Sequence, residues 1–123
     1  MPMRFFFVLL LILNGAVCSA EDLKFIDSNG DTGYFVDADS VRAESMAVFS
    51  ANLVIIRIDS NQMDVVNLQI NHAAKTYAIR STRTLAYDSR AELSADLTSR
   101  PPRNYTDESL MGDLVKIILH GGD

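Results

Sequence analysis

The sequence has no tryptophan, one cysteine, three prolines and two histidines among its 123 residues. With Cys18 alone, no disulfide can form within the chain, so the fold must rest on its apolar core. There is no Gly-x-Ser-x-Gly elbow, and neither histidine has a recognisable serine partner, which leaves nucleophilic hydrolysis without its parts. The expectation is a protein that is not an enzyme and uses no cofactor. Length excludes more, because about 100 residues support one modest core and leave no room for a nucleotide-binding domain beside a substrate domain. A basic excess is also missing: 11 Lys and Arg face 16 Asp and Glu, for a net charge of −5, so nucleic acid is not an expected partner.

No apolar run reaches the roughly 20 residues that cross a bilayer. The longest, residues 5–13, follows the basic Arg4 and gives way to Asn14 and Gly15, then to the small residues Cys18, Ser19 and Ala20. This is the layout of a cleavable secretory signal over residues 1–20, cut before Glu21 and leaving residues 21–123 as one exported domain. A lipidated Cys18 is the competing arrangement, disfavoured by the bulky Val17 in front of it. The expected location is the periplasm, the cell surface or the medium, with no stable membrane span. Charge is uneven along that domain: residues 21–64 carry three basic and nine acidic side chains, residues 65–103 six basic and three acidic. A solvated face is the simplest account of such a run, and a basic face for an anionic partner is the sharper one.

Turn signals recur at short intervals. Residues 23–26 predict a strand, Asn29-Gly30 the positive φ of a tight hairpin, and residues 34–36 the return strand, ended by a turn at Asp37-Ala38-Asp39-Ser40. Residues 46–58 form the longest candidate strand. Phe49, Ala51, Leu53 and Ile55 lie on one face of it and Val54, Ile56 and Ile58 on the other, which places it centrally. After a polar loop at 59–64, residues 65–72 alternate with Val66, Leu68, Ile70 and His72 on one side. Residues 76–87 alternate too, with Tyr77, Ile79, Leu85 and Tyr87 inward and Arg80 and Thr82 outward. Residues 88–103 read as a loop, since Pro101-Pro102 forbids helix or central strand. A closing helix is then expected: Thr106 caps it, Asp107 and Glu108 sit at its positive end, Leu110, Leu114, Ile117 and Ile118 form its apolar stripe, and Gly121-Gly122 stops it. The fold class is α+β, an antiparallel sheet of about five to six strands with a C-terminal helix packed on it.

Tyr34-Phe35-Val36-Asp37-Ala38-Asp39-Ser40-Val41 is similar to the aromatic-aromatic-x-Asp-x-Asp-Ser-(Ile/Val) segment of the bacterial surface-adhesin protein E-like family. Val66-Asn67-Leu68-Gln69-Ile70-Asn71-His72-Ala73-Ala74-Lys75-Thr76-Tyr77-Ala78-Ile79 resembles that family's strand, cysteine, short polar turn and Tyr-x-(Ile/Leu) strand, and residues 109–120 look like its closing helix. The resemblance implies a helix packed on an antiparallel sheet, often as a homodimer. In the members that give the family its name it implies adhesion to host extracellular-matrix and plasma proteins. Two departures stand out. The family's tryptophans are absent, and its two cysteines, which tie helix to sheet, are replaced by His72 and, by rough alignment, His120. On that alignment His72, His120, Leu114 and Ile118 share the helix–sheet junction.

Arg80, Arg83, Tyr87 and Arg90 make the candidate binding patch, because a guanidinium fork suits sulfated or carboxylated ligands; exposed strand arginines also serve simply to blunt a sheet edge. The alternative is a soluble periplasmic envelope or metal-handling protein in which His72 and His120 ligate zinc or copper, with Asp123 the nearest further ligand. Asp27-Ser28-Asn29-Gly30-Asp31 superficially resembles a calcium loop, but its glycine comes fourth instead of sixth, which makes it a hairpin turn. Asp37 and Asp39 are close enough for acid–base work only if burial splits their pKa values, and a solvated turn would not.

Overall fold

A two-residue hairpin opens the fold. The computed structural model describes residues 22–120, so the expected signal segment, the Gly121-Gly122 stop and Asp123 lie outside the described residues. Strands β1 (Leu23–Asn29) and β2 (Thr32–Ala43) join through Gly30-Asp31, and Gly30, at φ 63°, takes the first central position, where a II′ turn requires glycine. Then come β3 (Val48–Arg57), β4 (Gln62–Asn71), β5 (Thr76–Ala86) and β6 (Glu92–Asp96), each antiparallel to the strand before it. A two-residue β7 (Arg103–Asn104) pairs back onto β5, and helix α1 (Leu110–Leu119) packs chiefly on β1 and β2. The architecture is the expected α+β one, a seven-stranded antiparallel sheet with one C-terminal helix.

Both faces of β3 are buried, which explains its run of apolar residues. On one side Ala51 and Leu53 meet Leu68 and Ile70 of β4, Val36 of β2, and Met111, Leu114 and Val115 of the helix. On the other side Val54 and Ile56 cluster with Met63, edged by Phe35, Val65, Leu85 and Tyr87.

Several expectations are corrected. Asp37-Ala38-Asp39-Ser40 does not turn the chain: β2 runs through it with a register break between Asp37 and Arg42. Its side chains satisfy the distorted strand instead. Ser40 Oγ donates to Asp37 O (2.6 Å) and accepts from Asn52 N (2.8 Å), while Asp37 Oδ1 accepts from Asp39 N (3.0 Å). The loop at 59–64 shrinks to a single 3₁₀ turn, Ile58–Ser60, closed by Asn61 in the left-handed region at φ 53°. Residues 88–103 hold β6 and β7; β6 is exposed along its whole length and follows β5 at the sheet edge, so its composition reads as loop.

Arg80 sits at another bulge. Asn67 pairs with Ser81 but Leu68 pairs with Ile79, leaving Arg80 without a partner in the register. One inserted residue reverses which side the following side chains take. Tyr77 and Ile79 therefore face the helix, whereas Leu85 and Tyr87 pack on the opposite side, and the single inward row expected for residues 76–87 is split in two. The helix cap moves as well. Ser109, not Thr106, is the N-cap, its Oγ accepting from Gly112 N at 3.1 Å, while Thr106 O accepts from the Ser109 amide and hydroxyl.

Candidate functional site

The sheet face turned away from α1 is organised in cross-strand rows. One runs from edge to edge through register partners Phe25, Phe35, Val54, Val65, Arg83 and Ala95. Its β1 end is aromatic: the Phe25 and Phe35 rings meet edge to face with centroids 5.7 Å apart, and Phe25 is 58% exposed. Gly33 makes this possible, since a Cβ there would meet the Phe35 ring at 2.9 Å. The neighbouring row, Leu23, Asp37, Asn52, Asn67 and Ser81, is mostly polar. It is held by side-chain bonds, with Asn67 Nδ2 donating to Asn52 Oδ1 at 2.9 Å and Ser40 Oγ on the Asn52 amide.

Arg80 extends this polar surface. Its two guanidinium nitrogens donate to both oxygens of Glu44 at 2.8 Å, and Gln69 Nε2 donates to Glu44 Oε1 at 2.9 Å. Those two donors, Arg80 first, hold the Glu44 carboxyl below its usual pKa. Arg83 makes a single bond of this kind, its Nη1 donating to Glu92 Oε1 at 2.7 Å. Arg90 lies over the Tyr87 ring, 5.0 Å from its centroid, and donates to the Tyr87 carbonyl.

The expected arginine patch is thus dispersed. Seven residues of extended strand, at about 3.3 Å each, separate Arg80 from Tyr87. Arg90 and Tyr87 belong to the β5–β6 turn, where the Tyr87 amide is tied to Asn61 O (3.0 Å). Arg80 and Arg83 carry carboxylates of their own, so an incoming anion would have to displace Glu44 or Glu92. The electrostatic reason for grouping these residues fails; Arg80 lies outward as its alternation predicts, and Arg83, on the parity expected inward with Leu85, reaches the same uncovered face because the bulge turns that part of the row away from α1.

His72 begins the β4–β5 turn. Its ring lies 5.9 Å from that of Phe49 and its amide donates to Ala47 O, while Asn71 Oδ1 caps the turn by accepting from the amides of Ala73 and Ala74. That turn is clamped to the start of α1, through Lys75 Nζ on Asp107 (2.8 Å) and Lys75 O on the Tyr105 amide (3.0 Å). His120 instead caps the other end of α1, ten residues on, and is exposed. No ring contact or hydrogen bond joins the two histidines, and among the described residues no three His, Cys, Asp or Glu side chains are grouped to hold a metal. The other two junction residues do pack on the sheet: Leu114 is fully buried, and Ile118 lies against the same core.

No protein-family model, curated protein or solved structure matches the chain. Among the described residues no helix is long and apolar enough to cross a membrane.

Sequence reasoning missed Asn52, Asn67, Gln69 and Glu44. Asn67 and Gln69 were visible as the polar parity of β4 opposite Val66, Leu68 and Ile70, whereas Asn52 sits on the same parity as the buried Val54 and Ile56 and carried no such signal. Glu44 was not visible either: it meets Arg80 across a separation of 36 residues, and only the sheet register brings them together.

Proposed function

We propose that this protein is an exported binding domain, adhesin E-like in character, which presents the uncovered face of its sheet to a macromolecule such as a host matrix or plasma protein and performs no chemistry of its own. The observation that carries this reading is the cross-strand row from Phe25 on β1 to Arg83 on β5, beside a polar row already locked by Ser40, Asn52 and Asn67. Exposed aromatic and arginine side chains are what protein interfaces favour. Groups held before association lose little freedom when a partner arrives. Because Glu44 and Glu92 already neutralise Arg80 and Arg83, the face suits a protein surface better than a polyanion.

The test is solid-phase binding of the purified domain to a panel of purified extracellular-matrix and plasma proteins, with Phe25→Ser and Arg83→Ala combined. Truncating these two exposed anchors at opposite ends of the row should weaken a bound partner by about tenfold or more while the melting temperature stays put. A partner that binds the double variant as tightly as the parent removes this face from consideration. Protease digestion of the native protein on intact cells would support surface display, whereas protection until the outer membrane is opened would confine the binding role to the periplasm.

A further inference from the structure

On its other side the sheet is only partly covered. Helix α1 lies chiefly over β1 and β2, and the segment leading into it lines an open space together with side chains of β3, β4 and β5. A half-open cavity of 520 Å³ remains there, lined by the half-buried Ile55, Tyr77, Ile79 and Leu110, with Leu68 and Met111 of the packed core beside them. That volume falls within the range of about 300–1,000 Å³ typical of small-molecule sites, and an aliphatic floor with a flexible methionine wall suits a chain-like apolar guest.

Tyr105 also lines this cavity and is 7% exposed. Its amide is tied to Lys75 O, which draws the residue inward between the polar Asn104 and Thr106. The phenol, however, makes no hydrogen bond to any described residue. A hydroxyl on a buried residue with no protein partner calls for an explanation, and the acceptor oxygen of a ligand seated in this cavity supplies one. The nearest cations do not supply an anion site, because Lys75 and Lys116 both reach to Asp107, at its carboxylate and its carbonyl. A guest matching these surroundings has a long apolar body and one hydrogen-bond acceptor.

We propose that this cavity binds a medium-length acyl chain whose carbonyl or carboxylate oxygen accepts a hydrogen bond from the Tyr105 hydroxyl. Burial raises the Tyr105 pKa and so keeps the phenol in its donating form. The site lies on the opposite side of the sheet from the face that Phe25 and Arg83 occupy, so either can fail without the other.

The experiment titrates the purified domain with octanoate, decanoate and dodecanoate below their micelle concentrations, by calorimetry and methyl NMR. Binding of one chain per protein is expected, with shifts at Leu68, Ile79 and Met111. Each added methylene should tighten binding roughly fourfold, equivalent to about 0.8 kcal/mol, until the cavity is full. Tyr105→Phe should weaken binding by about tenfold, as expected for one lost hydrogen bond, without lowering the melting temperature, since the hydroxyl it removes has no partner among the described residues. Ile79→Trp should fill the cavity and abolish binding; because it could also disturb folding, the Tyr105→Phe result decides alone if that variant is unstable. A 1-lauroyl lysolipid bound as tightly as dodecanoate would identify lipid acyl chains as the natural source, and preference for the free acid would identify fatty acids. No binding of any probe at millimolar concentration, no dependence on chain length, or shifts confined to residues outside the cavity would overturn the proposal.

Discussion

The two faces of the sheet are built on different terms. Under α1, side chains from β2, β3 and β4, Tyr105 and the helix are buried together, and what binds them is apolar contact. On the opposite face the buried residues among those described are Val54, Ile56, Met63 and the small Ser50, and much of the remaining surface is fixed by side-chain bonds: Asn67 on Asn52, Ser40 on the Asn52 amide, Arg80 and Gln69 on Glu44, and Arg83 on Glu92. A surface fixed in this way contributes little to stability but holds its shape, because each polar group is oriented without being buried. The contrast separates a face whose side chains are held by burial from one whose side chains are held by one another. One side can lose little without unfolding, and the other can change its chemistry while the fold persists.

The hardest way to break this contrast is to truncate one residue on each side. Leu114 is 0% exposed, and Leu114→Ala should cost about 2–5 kcal/mol by urea denaturation, through lost burial and the cavity left beneath the helix. Phe25→Ala on the opposite face should stay within about 1 kcal/mol, since its ring is largely in solvent. Equal losses would mean that the uncovered face is a second core and not a contact surface.

Gly112 gives a finer test on the helix side. Alanine is the better helix former and would by propensity alone stabilise α1 by about 1 kcal/mol. A Cβ here, however, would lie 2.4 Å from Thr106 O and 2.5 Å from Asp107 O, both backbone atoms that cannot swing aside. Gly112→Ala should therefore destabilise, by about 1–3 kcal/mol as overpacking does, and lower the melting temperature. A rise in melting temperature would show that the segment leading into the helix yields easily and that the helix is less tightly seated than the geometry indicates.

Much of the helix side was legible in the sequence because it follows strict periods. Val66, Leu68 and Ile70 recur every second residue and Leu114 and Ile118 every fourth, and all five lie in or against the one core. What escaped was whatever depends on a break in period or on distant pairing. The bulge at Arg80 inserts one residue, so Tyr77 and Leu85, which share a parity in the sequence, end on opposite faces. The turn signal at Asp37 to Ser40 was real chemistry put to another use, as its side chains satisfy a bulge in place of a reversal. Tyr105 gave no sign of burial, because Asn104 and Thr106 flank it and only the bond from its amide to Lys75 O, reached across the fold, draws it in. The arginines were visible, but their carboxylate partners were not, and the partners decide what the arginines can do.

The smallest expected effects sharpen the comparison most cleanly, because one ion pair belongs to each side. Glu44 is held below its ordinary pKa by Arg80 on the uncovered face, and Asp107 is held below its own by the Lys75 ammonium at the helix entrance. A carboxyl depressed in the folded state stabilises it above the unfolded pKa, and the contribution fades as pH falls through the folded value. Lys75 runs the other way: Asp107 raises its pKa, so its contribution is complete below the ordinary ammonium range and is lost as pH rises through the folded value. Carboxyl NMR titration should find both acids below their unperturbed values. Arg80→Met should return Glu44 toward the ordinary glutamate value and leave Asp107 where it was, and Lys75→Met should do the reverse. If either variant moved both carboxyls, the two sides of the sheet would be electrostatically coupled through it, and a partner docking on Phe25 and Arg83 would then be felt at the entrance to the helix.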